Sequence, residues 1–173
     1  MSPLKEINLR KSKEIKGDFT GRTVHIDGFN TIITLEVALS NSLLLRSMDG
    51  TMRDLAGLRG TYKIIDKTIL SINLIYKALE ELKIKKAIFY IDAPVSNSGR
   101  LKQKIEELLT NANFEIEVQV INNVDSVLEK LDNVITSDAI ILNKCMGWIN
   151  LNRKILDSNF QDYSYVDFEK LLT

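Results

Sequence analysis

The chain has 173 residues, which suits one domain at roughly 100–200 residues per domain. Hydrophobic residues make up 45% and charged residues 27%, with only 8 Gly and 2 Pro, which excludes a disordered, collagenous or loop-dominated chain. The 23 basic residues balance the 23 acidic ones, so no whole-molecule field attracts nucleic acid or an acidic membrane, and a polyanion must meet a local patch.

Cys145 is the single cysteine, which excludes an intrachain disulfide and a cysteine-clustered metal site. It fits a reducing, cytoplasmic setting. Residues 1–22 are polar, carry no apolar signal core, and read as a basic-leaning arm, either a solvated tail or an edge strand. No apolar run approaches the ~18 residues of a membrane span, so no membrane partner is expected.

Residues 23–173 read as one domain. Thr23-Val24-His25-Ile26-Asp27 is a β-branched run ending in an acid before Gly28. Phe29 to Ser40 is densely apolar and reads as a helix after the Asp-Gly turn. Leu43 to Arg53 predicts a hairpin turning on Asp49-Gly50, and Gly57 and Gly60 mark a loop. Ile65, Ile69, Ile72, Tyr76, Leu79 and Leu82 recur at three- and four-residue spacing, which predicts a helix with one buried stripe. Ala87 to Asp92 is a continuous apolar run, the pattern of a parallel strand covered on both faces.

A helix carrying Leu101, Ile105, Leu108 and Leu109 follows, then an alternating strand from Phe114 to Ile121. Ser126 and Glu129 are spaced as a capping box for a short helix around Asp125 to Leu131. Val134 to Asp138 reads as a strand and Ala139 to Lys144 as a short helix. The stretch with Trp148, Ile149, Leu151 and Ile155 reads as a last strand or two, before a small helix near Asp167 to Leu172. Alternating strands and helices imply an α/β fold with a mostly parallel sheet.

Three of these strands end in aspartate: Asp27, Asp92 and Asp138. In a parallel sheet the strand C-termini share one edge, where ligands bind at the topological switch point. Carboxylates there, without cysteine, suit a hard divalent cation such as Mg²⁺ or Mn²⁺. The chemistry this suggests is metal-assisted hydrolysis. Aspartate is also a preferred N-cap and turn residue, so capping is the competing reading of each. Asn30 lies near the same edge, either to fix a water or substrate or to satisfy a helix end. Glu36, Asp49, Asp54 and Asp125 are weaker acidic candidates, and Asp157 and Asp167 have no predicted place.

His25 reads as structural, on the opposite side of its strand from Asp27, and Cys145 as a small packing group. No dinucleotide, P-loop or nucleophile-elbow motif occurs. The apolar residues around Leu43–Leu45 and Trp148 suit either a homodimer surface or the core.

At Val24-His25-Ile26-Asp27-Gly28-Phe29-Asn30 and Ile135-Thr136-Ser137-Asp138 the chain resembles the PIN-like superfamily of metal-dependent nucleases, including the NYN group. Phe89 to Asp92 with Pro94 to Gly99 is similar to an uncharacterised archaeal branch of it. The resemblance implies a three-layer α/β/α sandwich and an endonuclease that binds Mg²⁺ or Mn²⁺ and acts on RNA more than DNA. Asp27 and Asp138 resemble the metal ligands, and Asp92 an acid that completes the pocket or orients the attacking water. Arg53, Arg59, Arg100 and Lys102 would hold the flanking backbone, and Ser96 and Ser98, before a helix N-terminus, a phosphate.

The pattern departs from the superfamily in lacking a second late acid, where Asn143 stands nearest. Its helical glutamate corresponds at best to Glu36. A catalytically degraded module binding RNA or a protein partner is therefore the second reading. A small-molecule phosphatase is the third, although the Asp-x-Asp strand end expected of haloacid-dehalogenase-like enzymes is missing.

Overall fold

The computed structural model describes residues 3–56 and 60–172, with side chains through residue 170. In chain order the elements are α1 (Pro3–Ser12), β1 (Thr23–Asp27), α2 (Gly28–Leu39), β2 (Leu44–Arg46), β3 (Met52–Asp54) and α3 (Asp66–Glu81). Next come β4 (Lys86–Asp92), α4 (Ser98–Leu108), β5 (Glu115–Ile121), α5 (Val124–Leu128) and β6 (Val134–Ile135). The chain closes with α6 (Ala139–Lys144), α7 (Leu151–Asn159), β7 (Tyr165–Asp167) and a 3-10 turn at Glu169–Leu172.

The central sheet is all-parallel in the order β5-β4-β1-β6. Alternation along the strands assigns their side chains to two helical layers, giving a three-layer sandwich. Val24, Ile26, Ala87, Phe89 and Ile91 join the core formed with Ile32 of α2, Ile72 of α3, Leu101 of α4 and Ile155 of α7. Ile88, Tyr90 and Val134 face α5 and α6 with Leu128, Leu142 and Trp148. Each fully buried aliphatic side chain contributes about 1.5–3 kcal/mol. A second sheet, β3-β2-β7, joins the predicted hairpin to the C-terminal strand, and β2–β7 pairing is parallel. Gly50 turns the hairpin with φ of 88°, a left-handed conformation that glycine adopts without penalty. Among the described residues no helix is long and apolar enough to cross a membrane.

Several expectations need correction. Residues 3–12 form α1 rather than an extended arm. Ile7 and Arg10 are its buried positions, and Lys13 donates to the Asn143 carbonyl at the end of α6 (2.6 Å). An edge bridge does form just beyond α1, where Glu14 pairs with Trp148. Residues 151–159 are helix α7, not strand, because Leu151, Ile155 and Leu156 all turn to one buried face. Ser126 does not cap α5: the helix begins earlier, behind Asn123 at φ 58°, and the Ser126 amide donates to the Asn123 carbonyl.

Trp148 is fully buried, so it belongs to the core rather than to a dimer surface. His25 and Asp27, two positions apart on β1, share a strand face instead of opposing each other. The imidazole of His25 is committed to the Tyr90 hydroxyl at 2.8 Å.

Gly28 lets the start of α2 lie against β4. A Cβ there would meet the Ile91 side chain and stand 2.9 Å from the Tyr90 carbonyl oxygen. Gly28→Ala is expected to cost about 1–3 kcal/mol by overpacking, read as a lower urea midpoint at unchanged m-value.

Candidate active site

All four strands of the central sheet deliver an aspartate at their C-terminal ends. β1 and β4 close on Asp27 and Asp92, while Asp138 follows β6 and Asp125 follows β5. The chain passes from β1 to β4 and β5 on one side and returns to β6 on the other, so the switch point lies between β1 and β6. A cleft of about 560 Å³ opens there, lined by Asp27, Asp54, Asp92, Asp125, Asp138, Asn30, Arg53, Phe29, Ile33, Ser137 and Ala139.

Asp27 occupies the N-cap position of α2 yet makes no side-chain capping bond. Its carboxylate instead accepts from the Thr136 hydroxyl (2.8 Å) and is 5% exposed. The capping explanation therefore fails for this residue. For Asp138 both readings hold: Oδ1 caps α6 by accepting from the Ile140 and Ile141 amides (2.9 and 3.0 Å), and the residue still lines the cleft. The amide oxygen of Asn30 accepts from the Ser137 amide (2.9 Å) and the Ser137 hydroxyl (3.1 Å), which ties α2 to the loop carrying Asp138. Arg53 donates through Nε to the Ser137 carbonyl (2.8 Å) and through Nη2 to Asp49 (2.8 Å). Asp54 accepts from the Thr34 hydroxyl (2.8 Å).

Burial pushes the Asp27 carboxyl up to about 7; the Thr136 hydrogen bond opposes the shift, and Asp125, Asp92 and Asp138 reinforce it. Burial also raises Asp92, while Asp125 is raised by burial and then by Asp138 and Asp92. Mutually repelling carboxylates around a water-accessible cleft favour a cation. The donor set is all oxygen, as a hard divalent ion requires. Among the described residues no three acidic, histidine or cysteine side chains form a closed ligand set. An all-oxygen donor set is of the kind that suits an ion such as Mg²⁺, which keeps several waters and takes only one or two carboxylates.

Of the residues singled out from the sequence, Asp27, Asp92, Asp138, Asn30 and Arg53 meet at this cleft. Ser96, Ser98 and Arg100 do not line it. The two hydroxyls donate to the Gly60 and Ala93 carbonyls (2.9 and 3.2 Å), and Arg100 is exposed on α4. Lys102 also lies outside the cleft, and Arg59 lies outside the described residues. Glu36 turns away from the cleft and accepts from the hydroxyls of Tyr62 (2.8 Å), in the loop before α3, and Thr68 of α3. Asn143 turns to α1 and accepts from Arg10 (2.9 Å). Asp157 and Asp167 flank Arg46 at 3.7 and 3.8 Å in an ion-pair cluster at the C-terminal sheet. Asp125 and Asp54 were the underrated acids. Asp125 follows a strand end as the other three do, whereas the place of Asp54 depends on how the hairpin folds over α2.

A family model described as "Domain of unknown function (DUF5616)" matches residues 16–154, a stretch holding all five carboxylates of the cleft. "Uncharacterized protein MJ0935" of Methanocaldococcus jannaschii is 39% identical over 140 residues, which is 80% of this chain and 66% of that relative. The chain thus spans about two thirds of the length of the curated relative it matches. No solved structure gives a significant match.

Proposed function

The chain belongs to the DUF5616 family, and we propose that it is a metal-dependent endonuclease that hydrolyses phosphodiester bonds, in RNA rather than DNA. The observation that carries the reading is the meeting of four strand-end carboxylates at the switch point, with Asp27 buried there and not used as a cap. The resemblance of Val24 to Asn30 and Ile135 to Asp138 to PIN-like nucleases supports the same chemistry and supplies the preference for RNA. The lone buried thiol, Cys145, supports a cytoplasmic setting.

In this reading Asp27 and Asp138 hold Mg²⁺ or Mn²⁺ directly or through water, and Asp92 and Asp125 complete the pocket. Held there, such an ion would supply Lewis acidity toward a phosphoryl oxygen. The protein's own residues place the substrate. Asn30 and Thr136 fix the two loops that carry the carboxylates, and Arg53 offers a guanidinium to a nonbridging phosphate oxygen. Among the described residues one cation, Arg53, lines the cleft beside five acids, which makes strand binding modest and salt-sensitive without the divalent ion. The second reading is a degraded module that binds RNA or a protein partner without cutting; it is favoured by Asn143, which stands where the superfamily has a second late acid and turns away from the cleft to Arg10 (2.9 Å).

The test is cleavage of end-labelled single- and double-stranded RNA and DNA with Mn²⁺, with Asp138→Asn purified in parallel. Asparagine keeps the N-cap, so the variant retains its fold. It is expected to lose at least the roughly 10–100-fold that losing an outer-shell partner costs a metal site. Equal cutting by both proteins means a contaminant or a misplaced site. No cutting by either, with no Mn²⁺ heat in calorimetry, supports the degraded module. Turnover of a chromogenic phosphate monoester without strand cleavage supports a phosphatase.

A further inference from the structure

Asp49 lies behind the cleft, not in it, and its side chain is fully buried between two guanidinium groups. Its Oδ2 stands 3.1 Å from Arg10 Nε of α1 and 2.8 Å from Arg53 Nη2 of β3. Its Oδ1 accepts from the Thr51 amide (3.0 Å) and the Thr51 hydroxyl (2.6 Å). Three of these contacts are hydrogen bonds, from the Thr51 amide, the Thr51 hydroxyl and Arg53, while Arg10 is paired with the carboxylate by charge alone; the three bonds on two oxygens fix the orientation of the group. Arg53 is held at two nitrogens, by Asp49 and by the Ser137 carbonyl, which fixes the plane of its guanidinium. Its Nη1 has no partner among the described residues, and Arg53 lines the cleft.

We infer that Asp49 is the positioning residue for Arg53, setting the guanidinium edge that receives a phosphate oxygen of the nucleic acid. The inference rests on the nuclease reading above. Arg10, which precedes the family-matched stretch, takes part through the shared Oδ2, so helix α1 contributes to the geometry of the cleft. A neutral amide at position 49 presents an NH₂ to one of its donor neighbours. Arg53 is then released to swing about its remaining anchor at Ser137.

The experiment measures kcat and KM for cleavage of a short single-stranded RNA with Mn²⁺ in the wild type, Asp49→Asn, Arg53→Gln and the double variant. Mn²⁺ affinity and melting temperature are measured on each. Asp49→Asn is expected to raise KM about tenfold, as for a misaligned charged hydrogen bond, with kcat and Mn²⁺ affinity within about twofold. On the Arg53→Gln background the same change is expected to add nothing. If Asp49→Asn does not fold, Thr51→Val removes one donor to the carboxylate with little change of shape. It is expected to raise KM about threefold, again only where Arg53 is present. A wild type that cuts, with the Asp49 or Thr51 effect undiminished on Arg53→Gln or absent throughout, overturns the inference alone. A wild type that neither binds nor cuts RNA overturns the nuclease reading, and the inference with it.

Discussion

At pH 8 with chelator present, Asp27→Asn is expected to melt several degrees above the wild type. The Asp27 carboxyl sits at about 7 in the folded chain against 3.8 for the free side chain. Between those values the folded state holds more protons than the unfolded one, so stability falls as pH rises through that window. The full penalty is reached above pH 7 and is at most about 4 kcal/mol. At about 2–4 °C per kcal/mol for a chain of this size, the gap between variant and wild type is at most on the order of 10 °C. It closes near pH 4, where the carboxyl is protonated and accepts from Thr136 much as an amide oxygen does.

Adding Mn²⁺ at pH 8 is expected to raise the wild-type melting temperature and leave the variant unmoved. A variant less stable than the wild type at pH 8 in chelator would show that the charged carboxylate is stabilised by its own surroundings. Asp27 would then not be the centre of a cation site.

Trp148→Ala carries the largest expected loss of stability, about 3–5 kcal/mol. The indole is fully buried against Leu128, Leu142 and Val134, and its Nε1 donates to the Arg10 carbonyl at 2.7 Å. The backbone of the same residue joins two segments. The Ile15 amide donates to the Trp148 carbonyl (2.8 Å), and Trp148 bridges in parallel to Val134. Removing the ring therefore empties part of the smaller core and unseats the end of α1 together. Trp148→Phe keeps most of the bulk and isolates the hydrogen bond, at about 0.5–1.5 kcal/mol, since the Arg10 carbonyl still accepts from the Lys13 amide (3.1 Å). Chemical denaturation measures both. Amide exchange on residues 3–12 is expected to speed up in the alanine variant more than on β1.

The parts of the fold that were legible in the sequence are those whose signal is local. The unbroken apolar run Ala87 to Ile91 announces a strand covered on both faces. The stripe from Ile72 to Leu79 announces α3, and Asp49-Gly50 announces the hairpin. The acids at Asp27, Asp92 and Asp138 were legible because each follows a recognisable strand. The misreadings have long-range causes. α1 is mostly polar, and one of its buried positions is Arg10, whose burial makes sense only beside Asp49 and Asn143. α7 follows the strand-like Trp148-Ile149, so its helical spacing was obscured by its neighbours. Ser96 and Ser98 looked like phosphate donors because a sequence does not show that nearby carbonyls, Gly60 and Ala93, already take their hydroxyls.

The order of strands in the sheet also governs when the cleft can come into existence. Of the four strands of the central sheet β1 comes first in chain order, yet it lies inside the sheet and pairs with β4 on one side and, far later in the chain, with β6 on the other. Closing such distant pairs delays the rewards of contact until most of the chain is available, whereas the β2–β3 hairpin can form at once. On the ribosome, His25 and Ile26 wait for Val134 and Ile135 to emerge, and Asp27 waits with them for Thr136. A chain interrupted before β6 leaves one side of β1 as an unpaired apolar strand edge, a template for association with other nascent chains. The acidic cleft thus matures only once β6 has joined β1, well after the hairpin and the β1–β4 pair have had the chance to form.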